Sequence, residues 1–184
     1  MNNLIEKAID LLKKGEIIAA PTDTVYGLLA DATNDVAVKK VFGLKKRPLT
    51  KPLIVLVDSI EMANEIATFS EDSEQFAKKV WLIEKRPVTL IFKAKNISKL
   101  ITGGGNTVAI RLPNKQFCLD LIKGIKKPIV APSANISNHP TAISAEMVKN
   151  DFGDKIPLII DEGICQTSPS TIIDLTGARP LVIR

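Results

Sequence analysis

The chain has 184 residues, 45% hydrophobic and 24% charged, a composition that builds a core and excludes both intrinsic disorder and a coiled coil. Its 25 Lys and Arg against 20 Asp and Glu give a formal charge of +5, which favours anionic partners without choosing among nucleotide, RNA and plain solubility. The one histidine, His139, excludes any mechanism that needs a histidine pair, and Cys118 and Cys165 have no second Cys or His at metal-ligand spacing.

The two cysteines read as buried thiols, with a disulfide as the alternative. No apolar run reaches the length of a membrane span, and the N-terminus lacks a signal-peptide layout. The expectation is a cytoplasmic protein with no membrane partner, folded as one domain over residues 1–184.

The elements follow in chain order. Leu4, Ile5, Ala8, Ile9, Leu11 and Leu12 recur at helical spacing, and Gly15 ends that helix. Residues 16–20 form a short apolar strand stopped by Pro21. A second helix starts from Asn34 as N-cap and carries Val36, Val41, Phe42 and Leu44. Residues 53–57 are uniformly apolar, as in a strand covered on both faces. Helices follow from Ser59 (Ile60, Ala63, Ile66) and from near Ser70 (Phe76, Val80, Trp81). Further strands are expected at 88–92, 107–111, 128–131, 158–160, 171–174 and 181–183, with helices at 115–123 and about 144–150. Strands separated by helices imply an α/β fold, and the glycine-rich connection from Phe92 to Thr107 leaves a mixed sheet open.

Five segments carry candidate chemistry. Pro21-Thr22-Asp23-Thr24-Val25-Tyr26-Gly27 sits where a strand ends and reads either as a turn or as a set of hydroxyls orienting a small polar substrate. Lys45, Arg47 and Lys51 lie in a loop stiffened by Pro48 and Pro52. They form a solvated basic loop or a phosphate site, and the prolines favour the latter by lowering the entropy lost on fixing an anion. Gly103-Gly104-Gly105-Asn106 is a flexible turn or an anion nest, and no P-loop pattern exists. Arg111, at the end of an apolar strand, either snorkels to water or clamps a carboxylate or phosphate; Arg184 is in the same position, or is a frayed terminus. Ser133 and Asn135, alternate residues after a buried strand, point the same way if the chain stays extended; capping or an Asx turn is their plain role. His139 reads as a surface residue, and a catalytic triad has no support.

The segments 21–27, Lys45-Lys46-Arg47 with Lys51-Pro52-Leu53, Thr107-Val108-Ala109-Ile110-Arg111, Pro132-Ser133-Ala134-Asn135 and Pro169-Ser170-Thr171-Ile172 together resemble the ordered motifs of the TsaC/YrdC family, the threonylcarbamoyl-AMP synthases. The resemblance runs from about Leu4 to Arg184. It implies a YrdC-like fold, an α/β domain with a twisted, mostly parallel or mixed sheet, flanking helices and a basic concave cavity. It also implies synthesis of threonylcarbamoyl-adenylate and pyrophosphate from L-threonine, bicarbonate and ATP, serving threonylcarbamoyladenosine formation beside the anticodon of certain tRNAs. The downstream partners would be tRNA threonylcarbamoyl-transferase proteins.

Carried residue by residue, the resemblance puts Lys45, Arg47, Ser133 and Asn135 at the reacting centre. Arg47, Lys51, Thr107, Ser133, Asn135, Thr141 and Arg184 would bind ATP, and Thr22, Thr24, Tyr26, Arg111, Ala131 and Ser170 would bind threonine. One Mg²⁺ would ride on the triphosphate, held by phosphate oxygens and water because the matched motifs bring no carboxylate cluster. The chain departs from the family pattern at Leu56, often histidine in longer relatives, at Asn138-His139, where an arginine is expected, and between Trp81 and Thr89. Two other readings stand beside this one: a non-catalytic protein binding tRNA or double-stranded RNA through the same cavity, and a paralogue adenylating a different carbamoylated substrate. With six Phe, one Tyr and one Trp, mostly in core patterns, few stacking platforms are left for single-stranded RNA.

Overall fold

The computed structural model describes residues 2–165 and 169–184. In chain order the elements are α1 (Asn2–Lys13), β1 (Ile18–Pro21), β2 (Tyr26–Asp31), α2 (Asp35–Lys45), β3 (Ile54–Leu56), α3 (Ile60–Ile66), β4 (Ala67–Thr68), α4 (Glu71–Lys78), β5 (Val88–Ala94), β6 (Thr107–Arg111), α5 (Gln116–Ile125), β7 (Ile129–Val130), α6 (Ala145–Phe152), β8 (Thr171–Asp174) and β9 (Leu181–Val182). A π-helical turn, Lys79–Ile83, extends α4 and carries Trp81.

Helix starts follow from side-chain chemistry. Asn34, Ser59, Ser70 and Ser144 each sit in extended backbone and accept hydrogen bonds from first-turn N–H groups that would otherwise lack partners. The C-termini of α2 and α5 close on Lys46 and Lys126 in the left-handed region.

The strands form one sheet in the order β1-β2-β7-β3-β6-β5-β8-β9, with β4 on β5. The sheet is mixed. Among the described residues only β3·β6 and β5·β8 run parallel, while the other six strand pairings are antiparallel, so the mostly parallel alternative gives way. Three local expectations shift as well. Pro21 lies within β1, opposite Tyr26 in a tight hairpin. Strand β2 had no sequence signal: all six of its residues are buried, but Tyr-Gly-Leu-Leu-Ala-Asp contains no β-branched residue. The segment around residue 159 makes a single parallel bridge to Ala19 instead of a strand.

Helices cover the two faces unequally. On one face, α2, α3, α6 and Trp81 pack over Leu28, Ala30, Val55, Leu90, Phe92 and Ile110. On the other, α1 and α5 bury Ile18, Ala20, Leu29, Leu56 and Ile129, and this second core does not reach β5, β6 or β8. The register continues that face onto the bare part. Ile54 and Leu56 lie opposite Ala109 and Arg111, Ala109 opposite Ile91, and Thr89 opposite Ile172. The uncovered patch is a platform of small and branched side chains with one arginine at its margin.

Candidate active site

That platform is the floor of a cavity of about 330 Å³, large enough for a small ligand. Ile54, Ile91, Ala109 and Ile172 form the floor. The turn after β1, the basic loop, the segment after β7 and the strand pair β8–β9 form the walls.

At one end stands Arg111. Its side chain is 4% exposed and its Nη2 lies 3.2 Å from Oδ1 of Asp23, itself 6% exposed. Nη1 and Nη2 donate to the hydroxyls of Thr24 and Thr22, both at 3.3 Å. The two threonine hydroxyls are 3.0 Å apart, and Thr22 is fixed by its own bond to the Val25 carbonyl at 2.8 Å. The turn therefore acts as a bracket that orients a guanidinium. Two atoms there stay unmatched: Nε of Arg111 and Oδ1 of Asp23 are buried without a directed hydrogen bond. The Asp23 contact is thus charge against charge, and the guanidinium keeps an unused donor.

The remaining residues of this end are equally well fixed. Tyr26 is fully buried and its hydroxyl donates to the Gly163 carbonyl at 2.8 Å; burial pushes its pKa upward. Ser170 shares a 2.8 Å hydroxyl–hydroxyl bond with Thr89, and both are buried. Ala131 lies on the wall with its N–H on the Ile54 carbonyl at 2.9 Å.

A second cation stands across the cavity from Arg111. Arg47 is half-buried and turned inward by the carbonyls of Pro52 (2.8 Å) and Lys51 (3.3 Å). The loop itself is tightened by the Lys51 N–H on the Pro48 carbonyl at 3.0 Å. Burial lowers the Arg47 pKa. Gly103 underlies this loop at φ +63, and a Cβ there would sit 2.5 Å from the Thr50 carbonyl oxygen. The glycine run is a backbone buttress. The N–H groups of Gly103, Gly104 and Gly105 bond to Leu100, Lys99 and Thr102 carbonyls, so the anion-nest expectation is corrected. Arg184 reaches the cavity from the strand pair β8–β9, its Nη2 on the Ser170 carbonyl at 3.1 Å.

Ser133 and Thr141 line the wall between these cations. Ser133 donates to Oδ1 of Asn135 at 2.6 Å, and the Asn135 amide donates to the carbonyls of Ile136 (3.0 Å) and His139 (2.8 Å). Asn135 thus ties its own loop together. His139 is surface-exposed and pairs with Asp151 at 2.8 Å.

The cavity brings together Thr22, Thr24, Tyr26, Arg47, Arg111, Ala131, Ser133, Thr141, Ser170 and Arg184. Lys45, Lys51, Asn135 and Thr107 are not among its lining. Lys51 is exposed, and Thr107 lies at the far end of β6 on the floor's face, opposite Lys93. Lys45 is buried away from the cavity, with its ammonium among oxygens of the Ser133–Asn135 segment. Sequence reasoning missed Asp23 as the counter-charge of Arg111, Thr89 as the partner of Ser170, and Gly103 as the support of the basic loop. Asp23 had a signal, since it sits between the two threonines of the singled-out turn.

Among the described lining residues are three arginines and no Asp, Glu or His. Such a set binds and orients anions and offers no carboxylate for a metal; no cluster of metal-ligating side chains occurs among the described residues. Among the described residues no helix is long and apolar enough to cross a membrane. Tyr26, Phe42, Phe92, Phe152 and Trp81 are core residues, which removes them as stacking surfaces for RNA.

A family model named Sua5/YciO/YrdC and described as "telomere recombination" matches residues 10–184. The threonylcarbamoyl-AMP synthase of Pyrococcus abyssi is 42% identical over 183 residues, which are 98% of this chain and 53% of that protein. The threonylcarbamoyl-AMP synthase of Enterobacter sp. strain 638 is 32% identical over 177 residues, 95% of this chain and 93% of that protein. The crystal structure of P. abyssi Sua5 complexed with L-threonine superposes with a TM-score of 0.92 at 41% identity, covering 98% of this chain and 53% of that one. The chain thus spans about half the length of the P. abyssi relative and nearly all of the Enterobacter one. By this match it belongs to the Sua5/YciO/YrdC family.

Proposed function

We propose that the chain is a nucleotidyltransferase that joins L-threonine, bicarbonate and ATP into L-threonylcarbamoyl-adenylate, releasing pyrophosphate. The observation that carries this reading is the polarity of the cavity. A buried arginine with an unused Nε–H stands at one end, Arg47 stands across the cavity from it, Arg184 lies beside Ser170, and neutral hydroxyls complete the lining. A threonine carboxylate on Arg111 would satisfy that donor, whose isolation costs about 1–3 kcal/mol. Similarity to a relative solved with L-threonine supports threonine as the amino acid.

In this reading Thr22, Thr24, Tyr26, Ala131 and Ser170 surround the amino acid, and Arg47, Ser133, Thr141 and Arg184 surround the nucleotide. Lys51 and Thr107 extend the ATP side beyond the described wall. The threonine amine attacks the carbon of bicarbonate, water leaves, and the carbamate oxygen attacks the α-phosphorus in line while pyrophosphate departs. Negative charge gathers at every step, so fixed cations and N–H donors supply the catalysis and no side-chain nucleophile is needed. The amine proton goes to bicarbonate or to a phosphate oxygen, because the described lining holds no carboxylate or imidazole. Mg²⁺ would enter as the ATP complex and keep phosphate and water ligands.

The proposed setting is one cytoplasmic YrdC-like domain with a basic cavity, working upstream of the tRNA threonylcarbamoyl-transferase proteins. The test is pyrophosphate–ATP exchange. Exchange that requires both L-threonine and bicarbonate is expected; exchange that ignores threonine, or none at all, would sink the reading.

A further inference from the structure

Lys45 belongs to the segment expected to meet phosphate, yet its surroundings give it other work. It is the last residue of α2 and only 2% exposed. Its ammonium donates to the Ser133 carbonyl, to the Asn135 carbonyl at 2.7 Å and to Asn135 Oδ1 at 3.3 Å. An ammonium has three N–H groups, and these three acceptors take them all. In return the Lys45 carbonyl accepts from the Ser137 N–H at 2.8 Å. Two residues further on, Arg47 enters the cavity, as does Ser133 at the other end of the tie.

We propose that Lys45 is a positioning residue that staples the cation loop to the Ser133–Asn135 wall, fixing the spacing of Arg47 and Ser133, and that it does not bind phosphate itself. The inference rests on the adenylation reading for its catalytic meaning and on the geometry alone for the staple. Burial first, and the like charge of Arg47 second, push the Lys45 ammonium down to about 8, while Asp151 opposes them. Asp151 also holds His139 and the Ile136 N–H, so it braces the same loop from behind. A lysine near that pKa could serve as a general base, but one with every N–H donated, outside the cavity lining, cannot reach a substrate amine.

Two variants and two measurements test this. In Lys45→Met, amide hydrogen exchange should accelerate at residues 134–139 while α1 and α5 keep their protection; unchanged exchange there would overturn the staple whether or not the chain binds nucleotide. In titrations with ATP, ADP and AMP, Lys45→Met should weaken all three by a similar factor, about tenfold, because the wall is misplaced for each. Arg47→Ala should weaken ATP far more than AMP. A Lys45→Met loss that grows with phosphate number would overturn the proposal. Lys45→Arg keeps the cation but cannot fit its fork among those three oxygens; it should behave as Lys45→Met does, and full ATP affinity in it would also count against the staple. If the wild-type chain binds no ATP, the adenylation reading fails while the exchange pattern still decides the staple.

Discussion

Replacing Arg111 by alanine should produce two separable losses. The first is stability. Asp23 would remain as a carboxylate 6% exposed with the Asn114 N–H at 3.3 Å as its remaining side-chain bond, and breaking a buried pair from one side costs about 3–5 kcal/mol. For a chain of this size that lowers the melting temperature by about 6–20 °C. The second is threonine binding, which should weaken by about 2–5 kcal/mol, or roughly 30- to 5,000-fold. Adding Asp23→Asn to Arg111→Ala removes the stranded charge, so the double variant should regain much of the stability and none of the affinity. Calorimetric threonine titration beside thermal unfolding reads both. Near-normal threonine binding by the double variant, or a loss that falls on ATP instead, would refute the assignment of Arg111 to the amino acid.

Three further outcomes follow from the same geometry. Gly103→Ala places a Cβ 2.5 Å from the Thr50 carbonyl at a positive φ; it should cost about 1–2 kcal/mol and raise the KM for ATP through displaced Lys51 and Pro52 carbonyls, with the KM for threonine unmoved. Thr89→Val keeps the shape but removes the hydroxyl bonded to Ser170; threonine affinity should fall by about 1 kcal/mol, checked by steady-state kinetics, and an unchanged KM would remove Ser170 from the amino-acid end. Lys45 binds its proton less tightly folded, near 8, than its ordinary 10.5, so between those values the unfolded chain holds more protons and stability rises with pH. Relative to Lys45→Met, denaturant unfolding should show a gain of up to about 1.4 kcal/mol per pH unit across that window; a fall with rising pH would contradict the burial of a charged ammonium.

Much of this was legible in the sequence because local chemistry dictated it. Asn34, Ser59, Ser70 and Ser144 could be read as helix starts since a cap needs only the residues beside it. The motifs around Thr22, Arg111, Ser133 and Ser170 could be read as one site only through family resemblance, because they lie on separate strands and turns. What stayed hidden depends on direction and on partners distant in the chain. Nothing near Lys45 says that its ammonium turns toward residues 88 to 90 positions away. Nothing near Gly103 says that the basic loop lies against it. Strand β2 was hidden by its composition, and the bare face that becomes the floor is visible only once α1 and α5 are seen to stop short of β6.

The most direct test of the divided cavity is a crystal structure with L-threonine and a non-hydrolysable ATP analogue bound together. The threonine carboxylate is expected on the Arg111 guanidinium, including its Nε–H, with the β- and γ-phosphates on Arg47 and the Lys45 ammonium still on the Ser133–Asn135 segment. Threonine seated on Arg47 or Arg184, or both ligands outside this cavity, would contradict it.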